Sequence, residues 1–132
     1  MSEFILPVDC DRDTGPFFEA ARQGRLVYRV CKACGKGIHM PTQFCGNCGK
    51  NDSEWRKSSG TGKVFSWTTV THQVHPAYQV PYTIVVVSLD DAPEVRLIGA
   101  IRGYAELKAG QSMKVVFDAD FGPAGLPQWR SL

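Results

Sequence analysis

The sequence predicts a mainly β chain: an N-terminal helix, a metal-stapled ribbon, then a C-terminal five-stranded barrel. Three observations carry that expectation. The motif Cys-x-x-Cys-Gly-Lys occurs twice, at Cys31–Lys36 and again at Cys45–Lys50. Strand-like segments rich in β-branched and aromatic residues follow at 63–71, 82–89, 95–103 and 113–121, with a last candidate at 126–132. A short amphipathic stretch, 13–24, precedes both.

Size and composition set the frame. A chain of 132 residues, 43% hydrophobic and 21% charged, is ordinary globular material for one domain or a small module plus one compact domain. The net charge of +2 selects no partner, but its distribution is uneven. Between Arg22 and Lys57 there are eight Lys/Arg against Asp52 and Glu54, whereas from Lys63 onward six basic residues face six acidic ones. The positive charge belongs to the cysteine-bearing segment. The expected organisation is a leader and helix over 1–24, the ribbon over 25–58 and the barrel over 59–132. The N-terminal stretch MSEFILPVDCDRD lacks a basic region and a long apolar run, so no signal peptide is expected. No segment reaches the apolar length of a membrane span, and the expectation is a soluble, cytoplasmic chain with no membrane partner.

Element by element, residues 1–13 read as an extended leader. DTGPFFEAARQG (13–24) reads as a helix: Asp13 or Thr14 can cap it, Pro16 suits its first turn and Gly24 its end. Phe17, Ala20, Ala21 and Gly24 share one face, with Phe18 beside it. RLVYRV (25–30) alternates and leads as a strand into Cys31. The polar stretch 51–62 reads as the link between modules, rich in Gly and Ser towards its end. HQVHPAYQVP (72–81) is a loop, YTIVVVSL (82–89) a central strand, DDAPE (90–94) a turn, and 104–111 a short turn or helical piece. Five strands with a connecting segment between the third and fourth is the OB-fold plan.

The cysteines carry the chemistry. A structural Zn²⁺ takes four thiolates in a tetrahedron at about 2.3 Å, and a Cys-x-x-Cys hairpin supplies two of them. Gly35 and Gly49 each follow the second cysteine of a pair, where the backbone turns left-handed. Cys31, Cys34, Cys45 and Cys48 are therefore the expected ligands of one structural zinc, with iron in the same geometry as the alternative. In a reducing compartment paired motifs of this kind are metal ligands rather than disulfides, and the fifth cysteine, Cys10, is left over. Four protein ligands leave no open position for water, so the site is expected to be non-catalytic. Lys32, Lys36 and Lys50 balance its negative charge.

Other candidates weigh less. His39 lies in the ribbon loop but is superfluous beside four cysteines, and His72 and His75 read as loop or interface residues. Cys10 has no activating base in view, and Asp90, Asp91 and Glu94 read as a solvated turn. No phosphate-binding glycine loop, nucleophile elbow or zinc-protease motif is present, so no independent enzyme is expected. Trp67 and Trp129 read as barrel core or rim.

The segments TGPFFEAARQGRLVYRVC, CKACG…CGNCG, GTGKVFSWTTV, LIGAIRG, AGQSMKVVF and LPQWR, in that order, resemble the acyl-CoA-associated OB-fold proteins with a rubredoxin-like zinc ribbon, domain-of-unknown-function family thirty-five. The resemblance spans nearly the whole chain. It implies a non-catalytic accessory subunit of a thiolase-like acyltransferase or aldolase, or of a MaoC-type enoyl-CoA hydratase, acting in a hetero-oligomer on acyl-CoA in lipid, steroid or polyketide-type metabolism. The zinc ligands carry over to Cys31, Cys34, Cys45 and Cys48, while no catalytic residue does. CoA is polyanionic at its phosphates and apolar along its acyl chain. Arg25, Arg29, Lys32 and Lys36 are therefore expected near phosphates, and Phe17 or Phe18 near the acyl chain or the partner. Nucleic-acid binding is the alternative that zinc ribbons and OB-folds share. A neutral barrel whose middle strand reads as core argues against it.

Overall fold

The structure, a computed structural model, describes Phe4, residues 6–123 and residues 125–132. Helix α1 spans Gly15–Arg22, with Pro in its first turn. Thr14 occupies the N-cap position without capping: its hydroxyl donates to the Asp11 carboxylate. Ala20 and Ala21 are buried, and Phe17 packs against the main core.

Strand β1 (Val27–Cys31) is the centre of a three-stranded antiparallel sheet, flanked by β2 (Gly37–Ile38) and β3 (Ser53–Lys57). The presence of β3 corrects the expectation that 51–62 is a link. Ser53 and Trp55 are half-buried while Glu54, Arg56 and Lys57 are exposed, and Cys31 pairs with Ser53. A polar edge strand with one wet face looks like a linker in composition, and only the alternation around Trp55 betrays it. The true connection is residues 58–60.

The barrel comprises β4 (Thr61–Val70), β5 (Tyr82–Leu89), β6 (Arg96–Arg102), β7 (Ser112–Val116) and β8 (Gln128–Ser131), in the order β6–β5–β4–β7–β8. All neighbouring pairs are antiparallel. Strand β5 is central, as expected, but its faces differ: Thr83, Val85, Val87 and Leu89 are buried, while Tyr82, Ile84, Val86 and Ser88 are half-buried. A register shift between Val64 and Ser66 leaves Phe65 facing solvent. Residues 104–111 form no helix. The Thr83 hydroxyl donates to the Gly103 carbonyl (2.8 Å) and accepts from the Ala105 N–H (3.0 Å), holding the start of this segment against β5.

The barrel closes between β6 and β8 through side chains rather than a strand ladder. The Ala100 N–H donates to Gln128 Oε1 (2.6 Å), and Arg130 Nη1 donates to the Ala100 carbonyl (3.2 Å). A Cβ on Gly99 would lie 3.0 Å from the Trp129 backbone nitrogen, so a side chain there would force the edges apart.

One core serves both sheets. Leu26, Tyr28 and Val30 of the ribbon cluster with Val64, Val85, Val87, Leu89, Met113 and Trp129 of the barrel. Polar joints reinforce it. Asp91 Oδ2 accepts from the Ser58 hydroxyl (2.8 Å) and from the Ser59 N–H (2.7 Å), and Glu94 Oε2 accepts from the Gly37 N–H (2.9 Å).

Candidate metal centre and apolar cavity

The two knuckles repeat each other closely. The Cys31 N–H donates to the Lys36 carbonyl (2.9 Å) and the Gly35 N–H to the Cys31 carbonyl (2.8 Å); the Cys45 N–H donates to Lys50 (2.9 Å) and the Gly49 N–H to Cys45 (2.8 Å). Gly35 and Gly49 both sit at φ 79°, the left-handed conformation that glycine adopts freely. Each turn thereby aims both of its sulfurs at the same point.

The four Sγ atoms of Cys31, Cys34, Cys45 and Cys48 lie within 4.8 Å of one another. Cys31–Cys48 and Cys34–Cys45 are each 3.6 Å apart. A tetrahedral ion at about 2.3 Å from each sulfur requires separations of about 3.8 Å, so the donor set fits one structural metal. Cys31 and Cys45 are buried, and Cys34 and Cys48 face solvent. The Asn47 side-chain amide, 3.5 Å from Cys34 Sγ, and the Lys36 backbone N–H pull the Cys34 thiol down to about 6, while at Cys48, against the Lys50 backbone N–H, burial and the other three sulfurs push the thiol up to about 11. The Asn47 backbone N–H donates to Cys45 Sγ (3.3 Å). These bonds stabilise charge on sulfur and fix ligand direction. His39 stands outside the sulfur cluster.

The second feature is a cavity of about 630 Å³ where α1, the ribbon and the barrel meet. Of the residues expected at a CoA or partner contact, Phe17, Phe18 and Arg29 line it, while Arg25, Lys32 and Lys36 do not. Arg29 Nε donates to Ser53 Oγ (2.7 Å), and its guanidinium lies 3.5 Å from Asp13 and 5.9 Å from the Trp55 ring centroid. Arg25 donates to Gln23 (2.6 Å) and Lys32 pairs with Asp52 (3.6 Å). Lys36 helps hold the Glu94 carboxyl below its usual value, after the Gly37 N–H bond that opposes the effect of burial. Trp55, Ile38 and Ile98 also line the cavity, and sequence reasoning assigned them no site role. The alternation through Trp55 was the available signal.

The remaining candidates fall elsewhere. Trp129 is fully buried, whereas Trp67 faces outward at 39% exposure. His75 Nδ1 accepts from the Ala77 N–H (3.1 Å), a loop-shaping role, and Cys10 is exposed. No helix among the described residues is long and apolar enough to cross a membrane.

Residues 18–53 match the family described as "ChsH2, rubredoxin-like zinc ribbon domain", and residues 55–118 match "ChsH2, C-terminal OB-fold domain". The chain belongs to the ChsH2 (DUF35) family. A solved chain described as "Ltp2-ChsH2(DUF35) aldolase" is 31% identical and superposes with a TM-score of 0.79, covering 95% of this chain and 98% of that one. A DUF35 protein of unknown function from Sulfolobus solfataricus, 14% identical, shares the fold with a TM-score of 0.66 over 90% of this chain and 84% of that one. Among curated relatives, a "Probable enoyl-CoA hydratase alpha subunit" of Thermomonospora curvata is 38% identical over 108 residues, or 82% of this chain. The chain spans about a third of that relative's length, 33%. Family membership accounts for the paired knuckles, the barrel order and the four-cysteine site together.

Proposed function

We propose that the chain is a non-catalytic accessory subunit that docks on a thiolase-like acyltransferase or aldolase and helps form or gate its acyl-CoA site. The observation that carries this reading is the end-to-end likeness to the chain described as Ltp2-ChsH2(DUF35) aldolase, 98% of which this chain covers. Cys31, Cys34, Cys45 and Cys48 hold a structural Zn²⁺, with iron as the alternative occupant of the same thiolates. Bound there, the metal supplies folding energy to the ribbon and no reaction chemistry, since all four positions are filled by protein. The chain's own residues hold the apolar parts together: Phe17 and Phe18 meet the acyl chain or the partner, and Arg25, Arg29, Lys32 and Lys36 meet CoA phosphates or the partner's acidic surface.

A second reading has its own support. The relative named as an enoyl-CoA hydratase subunit is 38% identical, which favours a MaoC-type hydratase as partner. One experiment separates the two. The tagged chain is expressed at native level and its co-purifying protein identified, then acyl-CoA turnover is assayed with and without the chain. A thiolase-like partner whose turnover depends on the chain supports the first reading, and a hydratase supports the second. If no acyl-CoA enzyme forms a stable complex with it, both readings fail.

A further inference from the structure

The two knuckles, CKACGK at 31–36 and CGNCGK at 45–50, differ only between their cysteines: Lys32 and Ala33 in the first, Gly46 and Asn47 in the second. Both turns are closed by the same pattern of backbone hydrogen bonds. Each knuckle buries its first cysteine and exposes its second, Cys34 in one and Cys48 in the other. By backbone alone the two exposed thiolates are equivalent.

One side chain breaks that equivalence. The Asn47 amide reaches out of its own knuckle and donates from Nδ2 to Cys34 Sγ of the other at 3.5 Å, while its backbone N–H donates to Cys45 Sγ at 3.3 Å. The amide nitrogen faces the sulfur because its oxygen, an acceptor, would repel a thiolate. Ala33, at the matching place in the first knuckle, has no donor to offer. Among the described residues no side-chain nitrogen or oxygen bonds Cys48 Sγ, whose recorded partner is Cys31 Sγ. A hydrogen bond accepted by a thiolate stabilises its charge and makes it a weaker nucleophile.

We propose that Asn47 is a positioning residue that latches the two knuckles together and shields Cys34, leaving Cys48 as the exposed thiolate open to competing ligands and electrophiles. The inference rests on the reading of the four cysteines as ligands of one structural zinc. Asn47 is not itself a ligand; it acts through the sulfur of Cys34. Its side chain is exposed, so its effect belongs at the lower end of the about 10–100-fold that partners of metal ligands contribute to affinity. The centre then has one guarded and one open face, set by a residue that differs between its two halves.

The test uses the full zinc-loaded chain and its variants Asn47→Ala and Asn47→Asp. Alanine already stands at the matching place in the first knuckle, so the turn accepts it, and aspartate keeps the shape of Asn47 while removing the donor. Limiting iodoacetamide, which bonds its carbon to sulfur and expels iodide, is followed by peptide mass mapping, with the exposed Cys10 as internal reference. In the unsubstituted chain Cys48 should react about tenfold faster than Cys34. Asn47→Ala should raise the Cys34 rate to that of Cys48, leave Cys10 unchanged and weaken zinc about tenfold in competition with a chromogenic chelator. Asn47→Asp should do at least as much. Cobalt in place of zinc gives a signature that a merely structural role would not move: loss of the N–H donor should shift the thiolate-to-cobalt charge-transfer band to lower energy. Equal rates at Cys34 and Cys48 in the unsubstituted chain, or variants with unchanged zinc affinity and Cys34 rate, overturn the proposal and leave the metal reading standing. An unsubstituted chain that holds no metal by elemental analysis overturns both.

Discussion

Replacing Gln128 by Leu tests whether one side chain holds the barrel shut. Gln128 is 6% exposed, and its Oε1 accepts the Ala100 N–H at 2.6 Å across the β6–β8 seam, where no ladder exists. Leu has similar bulk but no acceptor. The loss combines one net hydrogen bond, about 1 kcal/mol, with a half-buried N–H left without a partner, about 1–3 kcal/mol. Leu recovers about 1 kcal/mol through its more apolar surface, so the net expectation is about 2 kcal/mol. For a domain of this size that lowers Tm by about 6–10 °C. Calorimetry on the metal-loaded protein measures the shift, and amide exchange localises it: the Ala100 amide should exchange faster while Val85 and Val87 in β5 stay protected. A Tm within 2 °C of the original (about 0.5 kcal/mol), or an Ala100 amide still protected, refutes the argument and assigns closure to the packing of Trp129.

Other substitutions address the core, the metal and the polar joints. Trp129→Ala should cost about 3–5 kcal/mol in urea titrations, because the side chain is fully buried. Trp129→Phe should cost much less, since its indole N–H has no partner among the described residues to lose. The purified chain should contain about one zinc by elemental analysis, and Cys45→Ser or strong chelation should release it and unfold the ribbon, at several kcal/mol. An absorbance spectrum typical of ferric thiolate would assign iron instead. Hydrogen bonds from Thr61 and Lys63 hold the Asp90 carboxyl below its usual value of 3.8. A depressed folded value means that its contribution is present above about pH 4 and lost as pH falls through the folded value. Asp90→Asn should flatten the acid limb of the stability curve by no more than about 1 kcal/mol, as suits an exposed pair.

The parts of the molecule dictated by local chemistry were legible. The spacing of Cys31, Cys34, Cys45 and Cys48 specifies the sulfur cluster because the knuckle geometry is contained within six residues. Strand β5 matches its predicted limits, Tyr82–Leu89, since a run of β-branched residues bounded by Pro81 and Asp90 has one reading. Features made by distant segments were not legible. The strand around Trp55 reads as linker because its outer face is charged, and only the pairing with β1 gives it a partner. Residues 104–111 look able to turn helically, yet the Thr83 hydroxyl, 22 residues before Ala105, decides their path. The cavity takes its walls from α1, the ribbon and the barrel, so no single window of sequence displays it.

The turn after β5 places Asp91 against the ribbon–barrel connection and Glu94 against the N–H of Gly37, next to β1. Both attachments spring from one hairpin of the barrel, so that hairpin and the shared core, more than the three residues that join the halves, fix the angle between them. The hairpin thereby braces the two halves like a bracket. A single added residue in that hairpin should skew the bracket while leaving each arm folded.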